Sequence, residues 1–186
     1  MAEVDTPVSL VDLAHRSGLV VAATRRLLEL AELFAVPVVL TEQYPAGLGE
    51  TRAEVLADFD ALTVPKRRLA KTSFGCCGDE RFEEILGELR PGLEPSERQL
   101  IVAGIEAHVC VLQTAIDLIN AGYEVHVPHD AVNSRRAADK LWALERMQTA
   151  GARITTTESA LFELLERCDS DEFKTVAKLV KKLPVP

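Results

Sequence analysis

Short apolar runs alternate with longer helical patterns along nearly the whole chain, and this alternation constrains the fold most strongly. The predicted strands cover residues 8–11, 36–41, 67–70, 99–104, 124–128 and 153–155. The predicted helices cover residues 18–35, 51–59, 80–89, 108–121, 135–150, 159–167 and 171–181. Strands that alternate with helices form a parallel sheet with helices on both faces. The sequence therefore predicts a three-layer α/β/α fold with a mostly parallel sheet.

Length and composition indicate one domain that covers residues 1–186. The chain has 186 residues, of which 47% are hydrophobic, and this is enough to bury a full single core. The Pro- and Gly-rich connections at residues 45–50 and 90–97 are too short to be linkers between domains. No internal repeat or low-complexity segment interrupts the pattern.

Charge and cysteine content exclude several classes of function. The net charge of −8, without a basic run, argues against nucleic acid or an anionic membrane as a partner. The N-terminus lacks a signal-peptide pattern and no apolar run is long enough to span a bilayer, so we expect a cytoplasmic protein. The four cysteines fit neither a disulfide framework nor zinc-ligand spacing. The adjacent Cys76 and Cys77 are interpreted as reduced thiols in a loop.

The stretch from Gly104 to Cys110 carries the clearest chemical signal. It leads from the predicted strand 99–104 into a helix and leaves Cys110 in the first helical turn. The helix dipole and the backbone N–H groups there stabilise a thiolate, which is the nucleophilic form of cysteine. On position alone, a buried core cysteine is the stronger interpretation.

Three segments resemble the isochorismatase-like cysteine hydrolases. They are VAGIEAHVCVLQTAIDLINAGYEVHVPHDAVNSR around Cys110, TEQYPAGLG at residues 41–49 and AKTSF at residues 70–74. The last two are similar to the subgroup of isochorismatase domain-containing proteins, and the similarity extends over about residues 18–182. The resemblance implies a Rossmann-like architecture and hydrolysis of a carbon–nitrogen bond in a small amide-type substrate. It implies a Cys-Asp-Lys triad with Cys110 as nucleophile and requires no cofactor.

The resemblance also assigns the lysine of the triad. Lys71 follows the predicted strand 67–70, at the edge of a parallel sheet where ligands bind. On charge pattern alone, Lys71 would belong to a solvated basic patch with Lys66, Arg67 and Arg68. Lys71 instead matches the family's triad lysine.

The aspartate of the triad has two candidates. The family has Asp-x-Gln after its first strand, but here the predicted strand 8–11 is followed by Asp12-Leu13-Ala14. An alternative alignment uses Asp5 and keeps the usual spacing, although its strand at residues 1–4 is short and half polar. We predict Asp12 because residues 8–11 make the better buried strand.

The resemblance adds details around the nucleophile. It implies a non-proline cis peptide between Ile105 and Glu106, with the backbone N–H groups of Glu106 and Cys110 forming an oxyanion hole. A solvated carboxylate is the simplest interpretation of the Glu106 side chain, and general acid–base catalysis is the alternative. Phe74, Tyr44 and His108 are candidate residues of the substrate pocket.

No metal site is predicted. The nicotinamidase branch carries an aspartate and histidines after its second strand, whereas this chain has Thr41-Glu42-Gln43-Tyr44 there. His126 and His129 lie on different faces of an extended segment, which favours structural or surface roles. Asp130 and Arg135 belong to the family's motif, and we expect structural hydrogen bonds from them.

Two functional hypotheses follow. The first is a cysteine hydrolase with a small-molecule substrate. The second is a non-catalytic relative that keeps the fold for ligand binding, redox sensing or protein interaction, and the altered Asp-x-Gln segment supports it. A flavodoxin-like nucleotide binder is disfavoured because no Gly-rich phosphate loop follows a strand.

The predicted helix 159–167 also suggests a homo-oligomer. Its apolar residues exceed what one buried face requires, and they are Leu161, Phe162, Leu164 and Leu165. The alternative is that the last helix folds back and covers this surface within one chain.

Overall fold

The computed structural model describes residues 2–5 and 17–182, with side chains from Gly18 onward. Its strands are β1 Ala2–Asp5, β2 Val38–Gln43, β3 Lys66–Lys71, β4 Gln99–Ile105, β5 Glu124–Pro128, β6 Val132–Asn133 and β7 Arg153–Thr155. They form one sheet in the order β3-β2-β1-β4-β5-β7, with β6 paired to β4. All of these pairings are parallel, which confirms the predicted fold class.

Helices connect the strands. They are α1 Ser17–Leu33, α2 Pro45–Leu48, α3 Ala53–Ala61, α4 Glu80–Leu89, α5 Leu112–Asn120, α6 Ala137–Ala150, α7 Thr157–Leu165 and α8 Phe173–Val180. A π-helical turn at Ala107–Val111 precedes α5. Among the described residues, no helix has the length and apolar character needed to cross a membrane.

Local sequence explains where these helices begin and which face they bury. The Asp79 side chain accepts a hydrogen bond from the Arg81 backbone N–H, at 3.2 Å, and so caps the start of α4. Phe82, Leu86 and Leu89 follow at helical spacing and are all buried. α4 therefore forms with one apolar face against the sheet.

The core lies in two layers, one on each face of the sheet. Residues of α4, α5 and α6 pack against one face, and they include Phe82, Leu86, Leu118 and Met147. Residues of α1, α3, α7 and α8 cover the other face, and they include Leu28, Phe59, Leu161 and Val176. The helices on both faces confirm the three-layer arrangement.

Most predicted elements are confirmed, some with shifted ends. The strands at 124–128 and 153–155 and the helix at 80–89 have the predicted bounds. The predicted strand 8–11 lies outside the described residues, and the structure has a strand at Ala2–Asp5. The short elements α2 and β6 were not predicted.

The apolar stripe of α7 is largely covered within the chain. Leu161 and Leu165 are buried in one cluster with Val176 and Leu179 of α8. The folding back of the last helix is therefore confirmed for these two residues. Phe162 and Leu164 remain 41% and 39% exposed, and self-association stays a prediction.

Candidate active site

The carboxyl ends of the central strands meet at one edge of the sheet, which we call the carboxyl edge. β2 ends at Gln43, β3 at Lys71 and β4 at Ile105. Because parallel strands all run in one direction, the residues that close them lie side by side, and ligands bind there in open α/β sheets. The predicted site residues are therefore sought at this edge.

Cys110 lies immediately beyond β4. The Ile105–Glu106 peptide bond is cis, as predicted. The predicted helix start is a π-helical turn at Ala107–Val111, and α5 continues from Leu112. The Glu106 carbonyl accepts the backbone N–H groups of Val109 and Val111 at 3.0 and 3.3 Å. Cys110 therefore lies at the start of a helix, and its low exposure of 5% shows that it is enclosed there.

Lys71 is buried at the end of β3, with 2% of its surface exposed. Its Nζ donates to Gln43 Oε1 at 2.9 Å, to the Phe74 carbonyl at 3.0 Å and to the Ser73 carbonyl at 3.3 Å. The exposed Arg67, four residues earlier, forms an ion pair with Glu88 instead. A solvated basic patch is therefore the wrong interpretation for Lys71. An ammonium group held by oxygens in a buried place keeps a strong local field.

Gln43 is a site residue that the sequence reasoning missed. It is buried, and its two amide ends are both used: Oε1 accepts from Lys71 Nζ and Nε2 donates to the Thr72 carbonyl at 2.7 Å. These bonds join the end of β2 to the loop after β3. The predicted strand ended at Thr41, whereas β2 continues to Gln43. The position of Gln43 directly after the apolar run was the signal in the sequence that could have identified it.

The candidate aspartates differ in what the structure describes. Asp12 lies outside the described residues. Asp5 ends β1, where its Cα pairs with those of Thr41 in β2 and Gly104 in β4. The backbone of Asp5 therefore lies at the carboxyl edge, between the strands that lead to Gln43 and to Cys110. The short, half-polar strand of the alternative alignment does form, because it pairs on both sides in the centre of the sheet.

The Glu106 side chain is buried and paired, so the expectation of a solvated carboxylate was wrong. Its Oε1 accepts from the Arg135 backbone N–H at 3.0 Å and from Arg135 Nε at 2.9 Å. Asp130 Oδ1 accepts the Thr157 backbone N–H at 2.8 Å. The structural hydrogen bonding expected of Asp130 and Arg135 is therefore confirmed. The Glu106 pair ties the turn that carries Cys110 to the segment before α6.

His108 makes a second link between the same two segments. Its Nδ1 is 2.9 Å from the hydroxyl of the buried Ser134, and its Nε2 is 3.9 Å from Asp139 Oδ2. The Arg136 guanidinium, bonded to Asp139, lowers the pKa of that carboxyl, and the charges of His108 and Arg135 lower it further. One imidazole therefore contacts the segment before α6 through Ser134 and faces Asp139 in the first turn of α6.

Two exposed aromatic residues lie beside Lys71. Tyr44 and Phe74 are 53% and 55% exposed. The Tyr44 backbone N–H donates to the Lys71 carbonyl at 2.8 Å, while the Phe74 carbonyl accepts from Lys71 Nζ. The Tyr44 ring packs closely over Gly47, where a Cβ atom would lie 2.1 Å from the ring and displace it. Both predicted pocket residues are therefore anchored near Lys71 by their backbones.

The remaining cysteines and the acidic groups give no metal cluster. In residues 2–5 and 17–182, no group of three His, Cys, Asp or Glu side chains is arranged to hold a metal ion. All four cysteines lie in the described part of the chain, and no disulfide joins them there. Cys76 is buried and its backbone N–H donates to Thr114 Oγ1 at 3.0 Å, whereas Cys77 is exposed.

Glu42 is buried beside Gln43 in an ion pair. It accepts from Arg68 at 2.7 and 2.9 Å and from the Thr51 backbone N–H at 2.8 Å. Burial raises the pKa of this carboxyl, but these hydrogen bonds outweigh burial and hold the pKa below its ordinary value. The ionised Glu42 therefore fixes the segment between β2 and α3, and its charge is already neutralised by Arg68.

Comparison with known proteins shows which protein family the chain resembles. The isochorismatase domain model matches residues 7–159. Isochorismatase domain-containing protein 1 of Danio rerio is 39% identical over 164 residues, covering 88% of this chain and 54% of the relative. The chain thus spans about half the length of that protein. Isochorismatase domain-containing protein 2 of Xenopus laevis is 38% identical over 167 residues, covering 90% of this chain and 75% of the relative.

A solved structure agrees with these sequence comparisons. The MAR1 ribonuclease of Caenorhabditis elegans superposes with a TM-score of 0.86 at 34% identity, and the match covers 100% of this chain and 93% of that chain. The family match includes the strand that leads to Cys110, the turn itself and α6. The chain therefore belongs to the isochorismatase family.

Proposed function

We propose that this protein is a cysteine hydrolase that cleaves the carbon–nitrogen bond of a small amide-type substrate. The family fold supports a hydrolase-type function. The observation that carries the finer proposal is that two groups lie at one edge of the sheet. Lys71 is buried there with its ammonium held by oxygens, and Cys110 lies in a helix-start turn. A nucleophile, a base and a cation that keeps the base ionised are the parts that amide hydrolysis needs.

The reaction divides into two steps. The Cys110 sulfur attacks the amide carbonyl carbon, and an aspartate takes the thiol proton. The carbonyl oxygen becomes an oxyanion that the backbone N–H groups of Glu106 and Cys110 stabilise. The aspartic acid then gives its proton to the leaving nitrogen, the carbon–nitrogen bond breaks, and an amine leaves a thioester behind. Water, deprotonated by the same aspartate, hydrolyses the thioester to the carboxylic acid and restores the thiol.

We assign the aspartate role to Asp5 rather than to Asp12. The support is the register of β1, which sets Asp5 beside Gly104 and Thr41 at the carboxyl edge. Aspartate variants test the assignment. Asp5→Asn is expected to abolish hydrolysis, and Asp12→Asn is expected to leave it nearly intact. Loss of hydrolysis in Asp12→Asn alone would return the role to Asp12.

The substrate is expected to have an apolar part next to its amide. Tyr44 and Phe74 expose aromatic surface beside Lys71, where a solvated side chain would be expected to be polar. The third candidate, His108, contacts Ser134, and its place in the pocket stays a prediction. A small molecule with an apolar body and one amide therefore fits the proposed pocket better than a highly charged one.

RNA is a weaker candidate substrate. The nematode relative is described as a ribonuclease. This chain, however, has a net charge of −8, and nucleic-acid binding depends on basic surface that neutralises phosphates. The non-catalytic alternative remains the main competitor, because the Asp-x-Gln segment is altered.

Thiol labelling and amide turnover together test the proposal. Cys168 is a matched control because it is exposed, while Cys110 is buried. We expect iodoacetamide at neutral pH to label Cys110 faster than Cys168 in a timed mass-spectrometry series, despite the burial, because a helix start favours the thiolate form of a cysteine. Ammonia release from a panel of small primary amides is expected to require Cys110 and to vanish in Cys110→Ser. Slow labelling of Cys110 together with no ammonia release would favour the non-catalytic relative.

A further inference from the structure

His108 lies two residues before Cys110, in the same π-helical turn. Residues two apart on a helix point to different sides, so His108 and Cys110 do not face each other across their shared turn. The His108 ring instead reaches Ser134 and Asp139, in the segment that ends β6 and begins α6. Any influence of His108 on the thiol therefore passes through the backbone of the turn Ala107–Val111.

The two contacts of His108 respond differently to protonation. The contact of 2.9 Å between Nδ1 and Ser134 Oγ is a hydrogen bond in which the hydroxyl accepts from or donates to the ring. The distance of 3.9 Å between Nε2 and Asp139 Oδ2 is too long for a hydrogen bond. It becomes an ion pair when the ring is charged. Imidazoles ordinarily gain that charge between pH 5 and 8.

Charged side chains of α6 and of the segment before it lie around the ring. On the α6 side, His108 faces the Asp139 carboxylate, which Arg136 Nε also contacts at 2.7 Å. Arg135 lies beside them but donates to Glu106. Within its own turn, Cys110 is the other titratable residue. Ser134 is fully buried, so its hydroxyl has little access to water.

We propose that His108 is a positioning residue for Cys110, and that its protonation tightens the link between the nucleophile's turn and α6. This inference rests on the proposed function, since it assigns a pH response to the same thiol. As pH falls, the thiolate fraction of Cys110 decreases, but the turn becomes more firmly fixed. Cys110 reactivity then falls less steeply with pH than it would without the histidine.

A conservative substitution separates the two contacts. His108→Asn places an amide near the position of Nδ1 and keeps a partner for Ser134, but it has no group that gains charge. Asp139→Asn keeps the histidine and removes the carboxylate. We divide the Cys110 alkylation rate at pH 6 by the rate at pH 8. This ratio is expected to be about two- to fivefold lower in both variants than in the wild type, which is the change in an equilibrium constant that a partly exposed ion pair produces. His126→Asn is the control and keeps the wild-type ratio, because His126 lies in β5 and pairs with Glu124.

Hydrogen exchange provides a readout that does not need the thiol to react. The protection of backbone amides at residues 107–111, corrected for intrinsic rates, is expected to rise from pH 8 to pH 6 in the wild type and to stay level in His108→Asn. An unchanged alkylation ratio in His108→Asn, or equal protection in both proteins, would overturn the inference. Slower labelling of Cys110 than of Cys168 would instead count against the proposed hydrolase, whatever the protection of the turn.

Discussion

Two lysines on β3 make similar bonds at opposite ends of the sheet. Lys66 begins the strand and donates to the carbonyls of Phe59, Asp60 and Leu62 at 3.0, 2.6 and 2.8 Å. Lys71 ends the strand and also donates to three oxygens. Lys66 is partly exposed, whereas Lys71 is buried. Water can replace the oxygens around Lys66, but the protein alone must satisfy Lys71.

The same contrast holds for the two ends of the sheet as a whole. Among residues 18–182, most of the buried polar side chains lie at or just after the carboxyl ends of strands, namely Thr41, Glu42, Gln43, Lys71, Glu106, Asn133 and Ser134. At the amino end, Glu124 pairs with His126 and with the exposed Arg153 at the surface. Burying polar groups costs stability unless they are bonded, so the fold accepts this cost where chemistry is proposed.

Replacement of the two lysines is expected to show the largest difference. Lys71→Met should reduce amide hydrolysis by about 100-fold or more, because the base loses its cation. The orphaned oxygens destabilise the protein, but removal of a buried charge offsets part of this, so we expect a net loss of unfolding free energy within about 2 kcal/mol. Lys66→Met should cost about 1 kcal/mol or less and leave hydrolysis unchanged. Hydrolysis rates and urea unfolding curves are measured on the same samples. Equal losses of hydrolysis in the two variants would remove the distinction between the two ends.

Two glutamates offer the next test. Glu106→Gln removes the charge from a buried acceptor of two bonds from Arg135, so we expect a loss of about 1.5–3 kcal/mol of unfolding free energy. It should also slow labelling of Cys110, whose turn begins at Glu106. Glu124→Gln acts on a partly exposed pair at the amino end and should cost about 0–1 kcal/mol. Urea unfolding of both variants measures the difference, and a larger loss in Glu124→Gln would contradict it.

The fold was more predictable than the site because strand and helix periods are local, whereas the site depends on pairing. The helix Glu80–Leu89 was predicted with its bounds, since Asp79 and the spacing of Phe82, Leu86 and Leu89 are visible in the sequence. β1 was only the alternative to the strand predicted at residues 8–11, because its central position in the sheet, and not its composition, makes it a strand. Gln43 was missed for a related reason. Its role depends on Lys71, 28 residues away along the chain.

The pH dependence of stability distinguishes the two ends of the sheet through the carboxylates of Glu42 and Glu32. The pKa of Glu42 lies below its ordinary value, so its contribution to stability is present above about pH 4.3 and is lost as pH falls through the folded-state pKa. Glu42→Gln should therefore be less stable than wild type at pH 7, and the difference should close toward pH 3. The pKa of Glu32 is also lowered, through hydrogen bonds from Thr63, but Glu32 is exposed and Glu32→Gln should show a smaller pH dependence. Urea unfolding at both pH values measures this, and parallel curves for wild type and Glu42→Gln would contradict it.

The smallest expected effect on activity concerns the apolar surface of α7. Leu164 lines a groove of about 240 Å³ near the amino end of the sheet, together with Val36, Ile101 and His126. Phe162 is exposed on the same helix. We expect two-fold self-association through this surface, since exposed apolar patches commonly mark interfaces and closed two-fold symmetry is the default for oligomers.

The double variant Phe162→Glu, Leu164→Glu should shift the protein toward a monomer of 20.4 kDa, as measured by sedimentation at micromolar concentration. Labelling of Cys110 should not change, because the carboxyl edge lies at the opposite end of the strands. Phe74→Glu is the matched variant at the carboxyl edge, where it should weaken substrate binding without altering the sedimentation. A wild-type protein that sediments as a monomer at every concentration would contradict self-association. A Phe74→Glu variant that dissociates the oligomer would instead move the interface to the edge that carries the candidate site.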